Sequence, residues 1–481
     1  MRLVSWAIPN LNGLAPARTA IICGMSSEKR FSANVAADYP DCLRDESRRV
    51  GQAASISFPE TEDEIRETLA RMRAAGTPVT VQGARTGITA GAVPEGGHVL
   101  NLSRMSRVAA LGRDPQSGAF RVTVEPGLLL TNLREALARK DFAAAGWSED
   151  SLRALREFKA AAAFFLPPDP TETTASLGGM AACNASGACS FGYGPTRAYV
   201  EAVRLILTDG SALSLRRGRD RAQGRAFALA SDTGRRIAGE LPRYLMPRVK
   251  NAAGYFAADD MDLVDLVVGS EGTLGVVTQI ELRLVPAPAA KWGITAFFPS
   301  EAGALRFVRA ARSPDAGLRP CAVEFFDCHA IAMLMDQRRH RGAFAELPEA
   351  PPGERTAIYV EYHGESEDRV ADAVSAMSPL LVACGGAEDE TWIATTEREM
   401  EPLRKFRHAV PEAVNLLIDE RRRHEPALTK LGTDMAVPDD GLEAVIALYR
   451  QGLARTGLEH VIFGHIGNNH VHVNILPRRM G

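Results

Sequence analysis

The sequence has no C-x-x-C pair. Its seven cysteines, Cys23, Cys42, Cys183, Cys189, Cys321, Cys328 and Cys384, are scattered along the chain, which excludes an iron–sulfur cluster or zinc knuckle built from local spacing. Their odd number suits a reducing compartment, so the cytoplasm is the expected location, with peripheral attachment to a membrane left open. No apolar run approaches the roughly 20 residues that a membrane span requires, and no clean signal peptide is evident. An excess of one charge is also lacking. Lys and Arg number 56 and Asp and Glu 59, a formal net charge of −3, which gives no general attraction to nucleic acid or to an anionic membrane. The most basic stretch, Arg216 to Arg225, reads as a solvated loop face. Internal repeats and low-complexity tracts are absent.

What is present is an ordinary globular composition, 46% hydrophobic and 24% charged, over 481 residues. At that length one core normally gives way to at least two packed units. Residues 1–35 read as a poorly specified extension. From Ser55 the pattern sharpens: SISFP alternates as a short strand, and TEDEIRETLARMRAAG predicts a helix opened by a Thr61/Glu64 capping box and ended by Gly76. TPVTVQG then predicts a buried strand entering a glycine-rich turn, followed by strands in HVLNLSRM and AFRVTVEPG and helices at about 130–140 and 148–164. AYVEAVRLILTDGSALSL predicts a hairpin turning at Asp209-Gly210. LVDLVVGSEGTLGVVTQIELRLVP predicts a strand, a glycine turn and a second strand, and PAPAAK at 286–291 has linker composition. Beyond it GITAFFPS, CAVEFFD and TAIYVEYHG alternate with helices near 300–312, 366–379 and 440–455, before HVIFGHIGNNHVHVNILP closes as two strands around a loop. The expected class is α+β: a binding domain over 36–286, an antiparallel sheet with helices as a cap over 287–455, and a site-bearing strand segment at 456–481.

Two loops carry chemistry. In VQGARTGITAGAVP, Gly83, Gly87 and Gly91 alternate with Thr86 and Thr89 directly after a strand; bare backbone N–H groups and hydroxyls of this kind suit a pyrophosphate. The spacing fits neither G-x-G-x-x-G nor G-x-x-x-x-G-K-[ST], so neither a Rossmann nor a P-loop site is supported. The second loop, PPDPTETTASLGGMAACNASGACSFGYGPTR, is too long for a plain connection in a compact domain. Taken with VVGSEGTLGVVTQIEL and GHIGNNHVHVN, these blocks resemble, in order and spacing, the vanillyl-alcohol-oxidase-like flavoproteins with a PCMH-type FAD-binding domain. Within them the resemblance is to the branch of D-lactate, glycolate and D-2-hydroxyglutarate dehydrogenases. The resemblance implies a two-subdomain FAD-binding domain and a cap covering the isoalloxazine. It implies that Gly83, Ala84, Arg85, Thr86, Gly87 and Thr89 bind the diphosphate. Pro168, Asp169, Thr174, Gly178, Gly179 and Asn184 would line the flavin channel, and Glu271, Gly275, Val276 and Val277 would contact its other side. Arg85 stands where some members carry a flavin-linking histidine, so the FAD is expected to be non-covalent, with a shift of attachment to Cys183 or Cys189 the alternative.

In HVHVN, alternation places His470, His472 and Asn474 on one strand face, and the Gly-Asn-Asn turn returns His465 towards it. Such imidazoles either bind a divalent ion or simply hydrogen-bond at a polar strand end. The resemblance favours the ion: His465, His472 and Asn474 match G-H-x-G-x-x-x-x-H-x-N, whose two histidines ligate metal, here expected as weakly held Zn or Mn. Asn468, Asn469 and His470 replace the usual Asp-Gly-Asn, and relatives continue to a Glu-His-Gly that supplies a third ligand and a base, whereas this sequence ends at Gly481. Arg407 aligns with the substrate-carboxylate clamp, a local helix ion pair being the plainer reading. The relatives' neighbouring Thr falls on Pro411, and the carboxylate-binding Lys of the glutarate enzymes falls on Gly432, with Lys430 out of register. The expected activity is FAD-dependent oxidation of a small 2-hydroxy acid, D-lactate or glycolate, with catalytic Arg407, His465, His472 and Asn474, metal ligands His465 and His472, and an unidentified electron acceptor. A non-catalytic or electron-transfer FAD subunit of a larger complex is the alternative, and a homo-oligomer is left open.

Overall fold

The computed structural model describes residues 31–313, 317–340 and 342–479. Positions 1–30 of the expected extension, Cys23 and Gly481 lie outside them; Phe31–Ser32 already pairs antiparallel with Ser57 and Ile56. The N-terminal half carries two separate main sheets. The first has the strand order Phe31–Ser32, Ser55–Ser57, His98–Asn101, Val79–Gln82, its last three strands parallel. Helix Glu62–Ala74 covers it through Ile65, Leu69 and Met72. Thr61 caps that helix by accepting from Glu64 N–H, but the Glu64 carboxylate reaches one residue past the expected box and accepts from Glu60 N–H at 2.7 Å. The second sheet is antiparallel, ordered Val108–Arg113, Phe120–Val124, Val276–Arg283, Val200–Ile206, Ala212–Arg216. Its last pair is the hairpin turning at Asp209-Gly210, where Gly210 adopts φ +85°.

Two local expectations are corrected. LVDLVV is not a strand: Val264–Val267 forms a helical turn. Val264, Val267 and Val268 all enter the core, and positions three and four apart share a face only in a helix. The expected helix at 148–164 ends at Ala160, and Phe164–Phe165 instead pairs with Val285–Pro286.

The C-terminal half is one eight-stranded sheet. Its main path runs Trp392–Ala394, Ala290–Phe298, Thr356–Gly364, Ala322–Phe326, His460–Gly464, His470–Ile475, Leu431–Gly432, with Met435–Ala436 also on His470–Ile475. Alternation along Thr356–Gly364 divides the core in two. Ile358, Val360 and Tyr362 pack with helices Glu301–Arg312, Glu367–Ala383 and Leu442–Thr456, while Ala357 and Tyr359 pack with Cys328–His340 and Glu397–Arg422. The last of these runs 26 residues despite internal Pro402 and Pro411, and it carries Arg407 on its course. The closing histidine hairpin is continuous with this sheet, since Phe325 pairs with Gly464.

Candidate active site

Two of the sequence-predicted loops meet at one hydroxyl. Ser176 Oγ accepts from Ala84 N–H at 3.2 Å and from Gly179 N–H at 3.3 Å, and a Cβ on Gly83 would lie 2.2 Å from it. Gly83 is therefore required for the first loop to approach helix Leu177–Ala182. The third loop is tied to the other end of that helix: Gly269 and Glu271 donate to the Ala181 and Ala182 carbonyls, both at 2.9 Å. Glu271 holds this turn at φ +54°. Within the first loop Gly87 and Gly91 face open space, a Cβ on either meeting nothing within 4 Å. Among the described residues no backbone carbonyl accepts from the N–H groups of Arg85, Thr86, Gly87, Ile88 or Thr89. Free N–H groups along bare backbone form an anion-binding concavity, and these residues fit the diphosphate of a dinucleotide.

The remaining expected cofactor residues divide. Gly178 serves packing, because its Cβ would fall 2.6 Å from Pro126 Cβ. Asn184, at φ +47°, spends Oδ1 on Arg197 N–H at 3.0 Å. The Val276 and Val277 side chains sit in two different cores, leaving only their backbones for a ligand. The Pro168 carbonyl accepts from Arg134, and Thr174 donates to Glu172 at 2.6 Å. Gly275 lies against the Ile206 carbonyl, 2.8 Å from its Cβ position.

Asp169 links this region to the cap. Its Oδ1 accepts from Cys189 N–H at 3.1 Å, and its Oδ2 lies 3.7 Å from Arg407 Nη2. The Arg407 guanidinium stands over the Tyr359 ring and also meets His408, while Nη1 is buried with no partner. Burial opposes its charge, but Asp169, Tyr359 and Glu361 around it hold it firmly cationic. Burial and Arg407 together keep His408 neutral, its pKa lowered to about 4.

The three histidines converge as expected, with ring centroids 4.6 Å apart for His470 and His472, 5.6 Å for His465 and His472, and 5.8 Å for His465 and His470. Each has one nitrogen directed at an oxygen: His465 Nδ1 at Glu324 Oε1 (2.8 Å), His470 Nε2 at Asp434 Oδ1 (2.6 Å) and His472 Nδ1 at the Thr433 carbonyl (3.3 Å). A nitrogen that donates to such an oxygen leaves the other with its lone pair, the arrangement typical of metal-binding imidazoles. His470 Nδ1 is buried and unpartnered. Ligand atoms of Asp434, His470 and His472 lie within 4.8 Å of one another, a donor set that fits a divalent ion and that includes the expected ligand His472 but not His465. Burial, with His465 and His470 beside it, lowers the His472 pKa to about 4. The hydrogen bond from His470 helps bring Asp434 to about 2. Asn474 is buried on the same strand and in register with Gly432.

Sequence reasoning missed Glu324, Asp434 and Lys250. Glu324 had a usable signal, a carboxylate in the middle of the apolar strand CAVEFFD; Asp434 and Lys250 come from loops with none. Burial lowers the Lys250 pKa to about 8, against the opposing pull of Glu324, Asp434 and Asp169. Lys430, which the sequence placed near the site, donates to Asn415 at 3.0 Å.

Residues 53–148 and 151–216 match the family described as FAD binding domain, and residues 287–479 match the C-terminal domain of FAD linked oxidases. D-lactate dehydrogenase of Anaerostipes hadrus is 26% identical over 402 residues, 82% of this chain and 68% of that protein. Glycolate oxidase subunit GlcD of Bacillus subtilis is 24% identical over 420 residues, 87% of this chain and 72% of that protein. A structure of alkyldihydroxyacetonephosphate synthase superposes with a TM-score of 0.58 at 13% identity, over 93% of this chain and 73% of the other, a likeness of fold.

Proposed function

We propose, on the premise that the chain belongs to the FAD-linked oxidases of the vanillyl-alcohol-oxidase-like branch, that it oxidises a small 2-hydroxy monocarboxylic acid of the D-lactate or glycolate class to the 2-oxo acid. The names of its relatives support the reaction class. The observation that carries the reading is Arg407: a buried cation with Nη1 unpartnered, facing Asp169 of the second loop and acting electrostatically on Glu324, the carboxylate that meets His465. A guanidinium edge of this kind matches a carboxylate with two parallel hydrogen bonds.

Bound FAD supplies a two-electron acceptor for the substrate α-C–H. His465 and His472, with His470 and Asp434 beside them, would hold a Zn or Mn ion, which would supply Lewis acidity at the substrate hydroxyl. Arg407 binds the carboxylate through Nη1, and Asp169 fixes the opposite edge of the guanidinium. Glu324 orients His465 through Nδ1. Lys250 Nζ, with its depressed pKa, takes up the hydroxyl proton. A glycine at position 432 supplies no cation for a second carboxylate, which favours monocarboxylates.

The test is anaerobic mixing of the FAD-loaded protein with D-lactate, glycolate, L-lactate and D-2-hydroxyglutarate. Bleaching of the flavin by D-lactate or glycolate is expected. If no 2-hydroxy acid bleaches a fully loaded protein, the electron-transfer subunit takes its place.

A further inference from the structure

Away from the histidine hairpin lies a second cluster that the proposed oxidation does not use. Cys189 precedes the short helix Ser190–Tyr193, Cys321 precedes strand Ala322–Phe326, and Glu361 and His363 lie two apart on strand Thr356–Gly364. Each offers one ligand atom, and these atoms all lie within 4.8 Å of one another. All four side chains are over nine-tenths buried. The fold accounts for the meeting. Glu361 and His363 share a strand face, and Cys321 is placed beside them because its N–H donates to the Glu361 carbonyl at 2.8 Å. Cys189 arrives from the N-terminal half. Its approach depends on Gly192, whose N–H donates to the Cys321 carbonyl at 2.9 Å and whose Cβ would lie 2.7 Å from Cys321 Cα.

The outer partners point the same way. Tyr193 Oη lies 2.8 Å from His363 Nδ1, and Tyr359 donates to Glu361 Oε2 at 2.5 Å. That leaves His363 Nε2 and Glu361 Oε1, 2.8 Å apart, as the atoms without a tyrosine partner. Metal-bound imidazoles and carboxylates are held by outer hydrogen bonds in this manner.

We propose that Cys189, Cys321, Glu361 and His363 form a second metal centre, a structural four-coordinate Zn²⁺ site that fastens the N-terminal half to the cap. Two thiolates, an imidazole and a carboxylate suit zinc, and four protein ligands leave no open position for chemistry. A tetrahedron with Zn–S near about 2.3 Å and Zn–N near about 2.0 Å has edges of about 3.3–3.8 Å, inside the 4.8 Å that bounds the present separations, and His363 Nε2 and Glu361 Oε1, now 2.8 Å apart, would part slightly on binding. The exchange balances. Zn²⁺ displaces the two thiol protons and the proton that Cys321 and Glu361 stabilise on His363 against burial, taking the cluster from neutral to a single negative charge. Arg407, which already interacts electrostatically with Glu361 and Cys189, lies close enough to balance it. Chain spacing could not show this site, because its cysteines are far apart and only the fold joins them. The Cys189 N–H also holds Asp169, the partner of Arg407, so the centre would fix one wall of the active site.

The test uses the full-length, FAD-loaded protein carrying His465→Ala and His472→Ala, which removes the histidine-hairpin ligands, incubated with Zn²⁺ and then dialysed. About one zinc per chain should remain, with sulfur scatterers at about 2.3 Å in X-ray absorption spectra. Adding Cys189→Ser or Cys321→Ser should abolish that zinc while FAD stays bound. Should those variants fail to fold, Co²⁺ loading of the parent protein gives a second readout: intense tetrahedral bands in the red, beyond flavin absorption. Absence of retained zinc, zinc without sulfur neighbours, or a Cys189–Cys321 disulfide in the parent's peptide map would each overturn the proposal.

Discussion

Arg407 and Asp169 face each other across the two halves of the protein, Nη2 and Oδ2 standing 3.7 Å apart, each among buried neighbours. The arginine is thus engaged through Nη2 while Nη1 has no partner. Arg407→Lys keeps the charge but loses the planar fork, and Arg407→Ala leaves Asp169 without its cation. Truncating one member of a buried charge pair costs about 2–5 kcal/mol, so kcat/KM for D-lactate or glycolate should fall by about 30-fold or more for Arg407→Ala. Steady-state kinetics check it; an unchanged KM and kcat would return Arg407 to a structural role.

Gly87 and Gly83 should respond differently to added bulk. A side chain at Gly87 meets nothing in the protein, whereas one at Gly83 strikes Ser176 Oγ. Gly87→Val should leave thermal stability within about 0.5 kcal/mol of the parent yet weaken FAD binding by roughly tenfold or more. Gly83→Val should lose both. Apoprotein melting and flavin titration separate the two, and acid precipitation of the parent should release all its flavin as free FAD, since Arg85 offers no covalent anchor.

Lys250 is expected to set the rising limb of the activity's pH profile. Burial brings its pKa down to about 8, so the neutral amine that accepts a proton becomes dominant as pH rises through that value. The kcat/KM profile should rise through a midpoint near pH 8 to a plateau above it, and Lys250→Gln should flatten the climb. A profile that is the same in the variant would place the base elsewhere.

His98 should govern part of the acid stability. It lies between Ser55 Oγ and Ser57 Oγ, each at 2.8 Å, and burial lowers its pKa to about 4. Between that value and the unfolded value of about 6.5 the unfolded chain binds the proton and the folded one does not, so stability is lost as pH falls through this window. Urea midpoints measured from pH 7 down to 4 should drop more steeply for the parent than for His98→Gln.

The glycine loops and the Asp209-Gly210 hairpin were legible because their chemistry is local: a bare backbone or a left-handed turn needs particular residues at particular positions. The convergence of His465, His470 and His472 was legible for the same reason, since strand alternation and one turn suffice. Around Arg407 the sequence offered only a local helix, and the full Glu397–Arg422 helix, which runs through Pro402 and Pro411, was not expected, since proline inside a helix normally interrupts it. The LVDLVV run was ambiguous because a short apolar stretch has no period of its own. The basic run at 216–225, read as solvated, is instead largely ion-paired, with Arg216 on Glu281 and Arg217 on Asp265. Asp434 and Lys250 could not be placed at all, since their partners lie on other segments that only the tertiary structure brings near, and Glu324 offered only the oddity of a carboxylate inside an apolar strand.

The pairing of Phe325 with Gly464 has a consequence in time. It joins two distant parts of the chain, and contacts of long sequence separation form slowly because the intervening loop must be closed first. The glycine loops around helix Leu177–Ala182 belong to an earlier part of the chain, which can settle before that closure. Refolding should therefore pass through a species that already captures flavin while its histidine hairpin is undocked, coloured but inactive. The lag between recovery of flavin binding and recovery of turnover would measure how long that last strand takes to arrive.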